Sequence, residues 1–165
     1  MYAVIRVKGV CKTNRDIKDT LRMLHLTRAN HCVIVPNTPA YLGMLQKVKD
    51  YVTWGEIGPE TLAKMILIKG RIEGNRKITD EYVRANTKYQ SIYALAQAVI
   101  NGEFVYEQLR AVKPLFRLNP PVGGYRSVKR IVRDGGALGY RGKEIEKLIE
   151  KMLAVDVKKK GKKEE

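Results

Sequence analysis

A chain of 165 residues has room for one buried core, or for a small core with an appended module. Its 32 Lys and Arg against 17 Asp and Glu leave a net charge of +15, an excess that signals a polyanionic partner, nucleic acid first and an anionic membrane surface second. No run is long enough to span a bilayer and residues 1–6 carry no long apolar leader region, which argues against a spanning or secreted protein and leaves a cytoplasmic location as the expectation.

Residues 2–7 alternate, with Ala3, Ile5 and Val7 on one face and Arg6 and Lys8 on the other, which predicts a half-buried strand ended by Gly9. Thr13 followed by Asp16 has a capping-box pattern, and Ile17, Leu21 and Leu24 give the apolar stripe of a first helix. Lys8, Lys12 and Arg15 cluster around the loop between them. A helix N-terminus attracts anions, so this group is a candidate for phosphate contact.

Residues 32–35 form a short β-branched run closed by Pro36, a strand buried on both sides. Thr38 is placed to cap the next helix, and Pro39 takes its first position, where no N–H is missed. Tyr41, Leu45 and Val48 share a helical face, and Lys47 and Lys49 remain free to meet an anion. Residues 52–57 predict a third strand, with Trp54 read as core rather than as a stacking platform. The fold class is therefore α+β, a two-layer β-α-β-α-β core of ferredoxin-like resemblance in which two helices cover a small sheet. Cys11, Cys32, His25 and His31 match no zinc-finger or ribbon spacing. No metal and no cofactor are expected.

The core is assigned to residues 1–57. A helical module follows at 58–113, with a helix through Leu62, Met65 and Ile66 stopped by Gly70, a short one capped by Thr79, and another capped by Ser91 and ended by Gly102. From 110 to 133 there is no acidic residue. Residues 114–154 read as a basic Gly/Pro-rich arm and a C-terminal helix, whose apolar face of Ile145, Leu148, Ile149, Met152 and Leu153 returns to the core. Within the arm, Arg117, Asn119, Gly123, Gly124, Tyr125, Arg126, Lys129, Arg130 and Arg133 are candidates for contact with a folded RNA. Guanidinium groups neutralise phosphates, while aromatic rings and glycine backbones can approach unstacked bases. The glycine-rich stretch 135–142, which includes Arg141, lacks the context of a dinucleotide loop and ends in no Gly-Lys-Ser/Thr. It is read as a turn against a phosphate backbone. Residues 155–165 predict a disordered basic tail.

Val35-Pro36-Asn37-Thr38-Pro39 followed by Gly43-Met44 and Lys47-Val48 resembles the signature of the large-subunit ribosomal protein L-thirty family, whose eukaryotic counterpart is L-seven. Ile17-Lys18-Asp19-Thr20-Leu21, Leu24-His25-Leu26, Arg28 and Asn30 upstream and Tyr51-Val52-Thr53-Trp54-Gly55 downstream extend the likeness over the first third of the chain. Phe116-Arg117-Leu118, Pro120-Pro121, Gly123-Gly124 and Gly135-Gly136 resemble the archaeal and eukaryotic members, and the absent basic N-terminal extension makes the pattern archaeal in type. The resemblance implies a structural component of the large ribosomal subunit without catalysis. Its implied partners are large-subunit ribosomal RNA, 5S RNA nearby, and neighbouring ribosomal proteins, with no membrane or small-molecule substrate. It adds Arg28 and Thr38 to the RNA-binding candidates. The alternative is an enzyme acting on RNA or a phosphorylated substrate through residues 135–142; against it, Asp16, Asp19, Asp50 and Glu56 are scattered and form no acid–base constellation.

Overall fold

The computed structural model describes residues 1–11 and 13–161, with side chains as far as 154. Six strands form one sheet: β1 (Tyr2–Arg6), β2 (His31–Val35), β3 (Val52–Glu56), β4 (Leu115–Arg117), β5 (Ser127–Ile131) and β6 (Gly136–Tyr140), in the order β4-β2-β1-β3-β6-β5. β1 pairs antiparallel with both β2 and β3, β4 antiparallel with β2, and β6 parallel with β3. The helices are α1 (Arg15–Met23), α2 (Pro39–Lys47), α3 (Pro59–Lys69), α4 (Asp80–Asn86), α5 (Ile92–Asn101) and α6 (Glu144–Gly161).

The expected α+β core is present, and its sheet is covered on both faces. Tyr2 and Val4 pack with Val33, Val35, Val52 and Trp54 under Leu21 of α1 and Leu45 of α2. Ala3, Ile5 and Cys32 face the other way, into a larger cluster with Met65 of α3, Leu95 of α5 and Ile149 of α6. The helical module and the last helix thus supply a third layer. This corrects the reading of residues 2–7 as half-buried: all of β1 is buried, because it is a central strand between two helical layers.

Local chemistry sets several helix ends as expected. Thr38 Oγ1 accepts from the Tyr41 N–H, Pro39 opens α2, Thr79 and Ser91 cap α4 and α5, and Gly102 ends α5 at φ 80°. Two expectations fail. The residue before α1 is Asn14, with no side-chain cap bond, because the Thr13 hydroxyl instead reaches Tyr51 Oη at 3.2 Å. The stretch 135–142 is largely a strand, with Gly136–Leu138 buried between β3 and β5. Glycine is required there because a Cβ on Gly136 would overlap the Arg130 carbonyl. Gly55 of β3 has the same role toward the Gly142 carbonyl, which lets the β6–α6 turn close onto the sheet.

The arm is more ordered than an irregular loop. Its first residues are edge strand β4, whose Phe116 is fully buried against Tyr106, ring centroids 5.2 Å apart. Burying a side chain of that size contributes about 1.5–3 kcal/mol. α6 does return to the core, with Ile145, Ile149 and Met152 buried and Glu146 Oε1 accepting the Gly58 N–H at 2.7 Å. It continues to Gly161, into the stretch read as tail, and residues 162–165 lie outside the described residues.

Candidate nucleic-acid interface

Strand direction decides which loops meet. β1 ends where β2 and β3 begin and where β4 ends. One end of the sheet therefore gathers Lys8 beyond β1, Arg28 before β2, Lys47 and Lys49 before β3, and Arg117 and Asn119 at the exit of β4. Arg15 opens α1 on the same loop as Lys8, and Lys12 of that loop lies outside the described residues.

These loops are pinned to one another. The N–H groups of Val7 and Lys8 both donate to the Tyr51 carbonyl, at 2.9 and 3.1 Å, and Lys8 Nζ lies 6.0 Å from the Tyr51 ring centroid. Asn30, at φ 63°, donates its N–H to the Arg6 carbonyl and accepts the Leu118 N–H at its own. The first core and the arm are joined through that residue. Arg28, Lys47, Lys49 and Arg117 are exposed, and Arg15 forms an ion pair with Asp19, at 3.7 Å on the helix surface. Such an exposed pair contributes little and gives way to a better anion.

Electrostatics reflect the same convergence. The buried His31 imidazole is held below its ordinary value by burial first, then by the positive fields of Arg117, Arg28 and Arg6. Three guanidinium groups from three chain segments thus act on one histidine. No carboxylate among the described residues forms an ion pair with Arg28 or Arg117. A site of this kind neutralises phosphates and has no acid–base pair for catalysis.

The remaining candidates fall into distinct places. Arg126, Lys129, Arg130 and Arg133 are exposed on or beside β5, an edge strand with all five residues exposed. Gly123 and Gly124 turn the chain before it at φ 83° and 74°. The Val122 N–H donates to the Lys151 carbonyl, which lays this turn against α6. Tyr125 faces inward: its hydroxyl donates to Asn30 Oδ1 at 2.7 Å and its ring packs beside Val7, Ala137 and Leu138. Asn119 Nδ2 is buried with no hydrogen-bond partner among the described residues. Thr38 lies at the opposite end of the sheet, its oxygen occupied by the cap. Arg141 follows β6 at that end too, and its guanidinium folds back to Thr53 Oγ1 at 3.3 Å and the Ala137 carbonyl at 3.2 Å.

Sequence reasoning passes over Arg6 and His31. The alternation puts Arg6 on a solvent face, yet it is 4% exposed and donates to the Lys8 and Leu26 carbonyls at 2.9 and 2.8 Å. The available signal is a lone arginine inside an otherwise apolar run. Cys11 and Cys32 are both free thiols, and no three of His, Cys, Asp and Glu among the described residues converge on one point.

Known proteins resemble this chain over most of its length. The family described as Ribosomal protein L30p/L7e matches residues 2–52. The chain is 53% identical to the large ribosomal subunit protein uL30 of Methanoculleus marisnigri over 152 residues, 92% of this chain and 99% of that one. It is 50% identical to the uL30 protein of Methanosphaera stadtmanae over 153 residues, 93% and 100% of the two chains. Against the uL30 protein of Archaeoglobus fulgidus the identity is 49% over 152 residues, 92% and 99% of the two.

Proposed function

The chain belongs to the Ribosomal protein L30p/L7e family, and from that premise we propose that it is a structural constituent of the large ribosomal subunit whose sheet end grips folded ribosomal RNA. The observation that carries the reading is the strand pairing that brings Arg28, Arg117, Lys8 and Lys49 to one end of the sheet, beside His31 at the start of β2. Their charges neutralise phosphates that tertiary RNA folding brings close together, and the pinned loops hold them in register without an ordering cost at the moment of binding.

The exposed β5 strand adds Arg126, Lys129, Arg130 and Arg133 as a second, projecting contact. The helical module between 58 and 113 is the layer that backs the far face of the sheet, and the arm ties that layer to the first core. Large-subunit ribosomal RNA is the partner, and the family resemblance adds 5S RNA and neighbouring ribosomal proteins as further proposed partners. The enzyme alternative has no support, since residues 136–140 are a strand in which Gly136 serves close packing and Gly139 a left-handed backbone. Sedimentation of the tagged protein from a cell lysate tests the assignment: it must comigrate with the large subunit and leave that fraction at high salt.

A further inference from the structure

Arg6 reaches a cleft of about 210 Å³ whose lining includes Lys18, Leu21, Arg22, Leu26 and Thr27. Three of these side chains are cationic and none is acidic. Lys18 and Arg22 stand four residues apart on α1, on one helix face, and form no ion pair among the described residues. Arg6 is the unusual member. A buried cation is costly unless it is paired, yet Nε and Nη1 meet only carbonyl oxygens and Nη2 has no partner among the described residues. Burial accordingly holds this guanidinium below its ordinary pKa. The two carbonyl bonds tie the β1 and α1–β2 loops together; they leave the charge itself uncompensated.

We infer that this cleft is a phosphate socket in which Arg6, from beneath, and Lys18 and Arg22, from α1, take one backbone phosphate of the ribosomal RNA. The inference rests on the RNA-binding reading above and extends the sheet end onto the α1 face. Arg6 supplies a fixed guanidinium fork from inside the fold, and the two helix cations close over the anion. Lys18 and Arg22 both stand on α1, so the helix fixes the positions from which their side chains reach the cleft.

The test uses the full chain, deproteinised large-subunit ribosomal RNA and filter binding across a salt series. Lys18→Gln with Arg22→Gln changes two exposed side chains and leaves the core intact. Removing one phosphate interaction should weaken binding and flatten the dependence of log K on log salt by about 0.7 to 0.9. Arg6→Lys keeps the charge and loses the fork, and should weaken binding as well. If the double variant matches wild type while Arg28→Ala with Arg117→Ala loses affinity, the socket is refuted and the sheet-end interface stands. If neither pair matters, both readings fall. The Arg6 Nε–Hε resonance should also shift on adding the RNA; a shift with inorganic phosphate alone and none with RNA would refute the assignment.

Discussion

The Tyr125 hydroxyl donates to Asn30 Oδ1 at 2.7 Å, across 95 residues of sequence. Asn30 precedes β2 and Tyr125 precedes β5, so the bond fastens the basic arm to the loop that carries Arg28. Asn30 holds three chain segments at once, through its N–H to Arg6, its carbonyl to Leu118 and its side chain to Tyr125.

Tyr125→Phe should therefore cost about 0.5–1.5 kcal/mol, the net worth of one hydrogen bond. Asn30→Ala should cost more, because it also puts alanine at φ 63°. Asn30→Gly loses the same side-chain bond but tolerates the left-handed backbone, and should fall between them. Urea midpoints of the three variants check the order.

Gly55→Ala should destabilise by about 1–3 kcal/mol or more, since the added methyl meets the Gly142 carbonyl rather than a flexible side chain. Gly43→Ala, on an open face of α2 with nothing within 4 Å, should be neutral or stabilising. Thermal unfolding of the pair separates the packing role of glycine from its chain entropy.

His31 sets a pH dependence. Its folded-state pKa is depressed by burial and by Arg117, Arg28 and Arg6. Below about pH 6.5 the unfolded chain takes up a proton at this residue that the folded chain resists. The associated stability is thus present above that pH and lost as pH falls toward the folded value. His31→Gln should show a smaller loss of urea midpoint between pH 7.5 and 5 than wild type. An equal loss in the two proteins would exclude His31 as a source.

Amide exchange of the free protein should divide the arm. β5 has every residue exposed and an irregular register with β6, so 127–131 should exchange rapidly while Phe116 and Leu138, buried in the sheet, are protected. Strong protection across 127–131 without RNA would contradict this.

What is legible in the chain is local. Thr38-Pro39, Thr79, Ser91 and Gly102 act through neighbours three or four residues away, so the sequence discloses α2, α4 and α5 directly. β4 and β6 escape because their evidence is distant. Three residues around Phe116 carry no measurable period, and Gly136 reads as part of a turn until the backbone it must approach is known. The same holds for the site. Its basic loops stand out in the sequence, but only strand directions bring Lys8, Arg28 and Arg117 to one end and leave Thr38 and Arg141 at the other. Arg6 stays hidden because an alternating pattern does not disclose that both faces of the strand are covered.

The central claim is that the basic sheet end, and not net charge alone, holds the RNA. Filter binding to deproteinised large-subunit ribosomal RNA across a salt series tests it with two charge-matched variants. Arg28→Ala with Arg117→Ala removes two charges from the sheet end, and Arg76→Ala with Lys77→Ala removes two exposed charges from the helical module. The first should weaken binding and flatten the log K against log salt slope by about 0.7 to 0.9 for each phosphate no longer neutralised, while the second stays close to wild type. Equal losses of affinity in the two variants would contradict the account and reduce the interaction to unspecific charge.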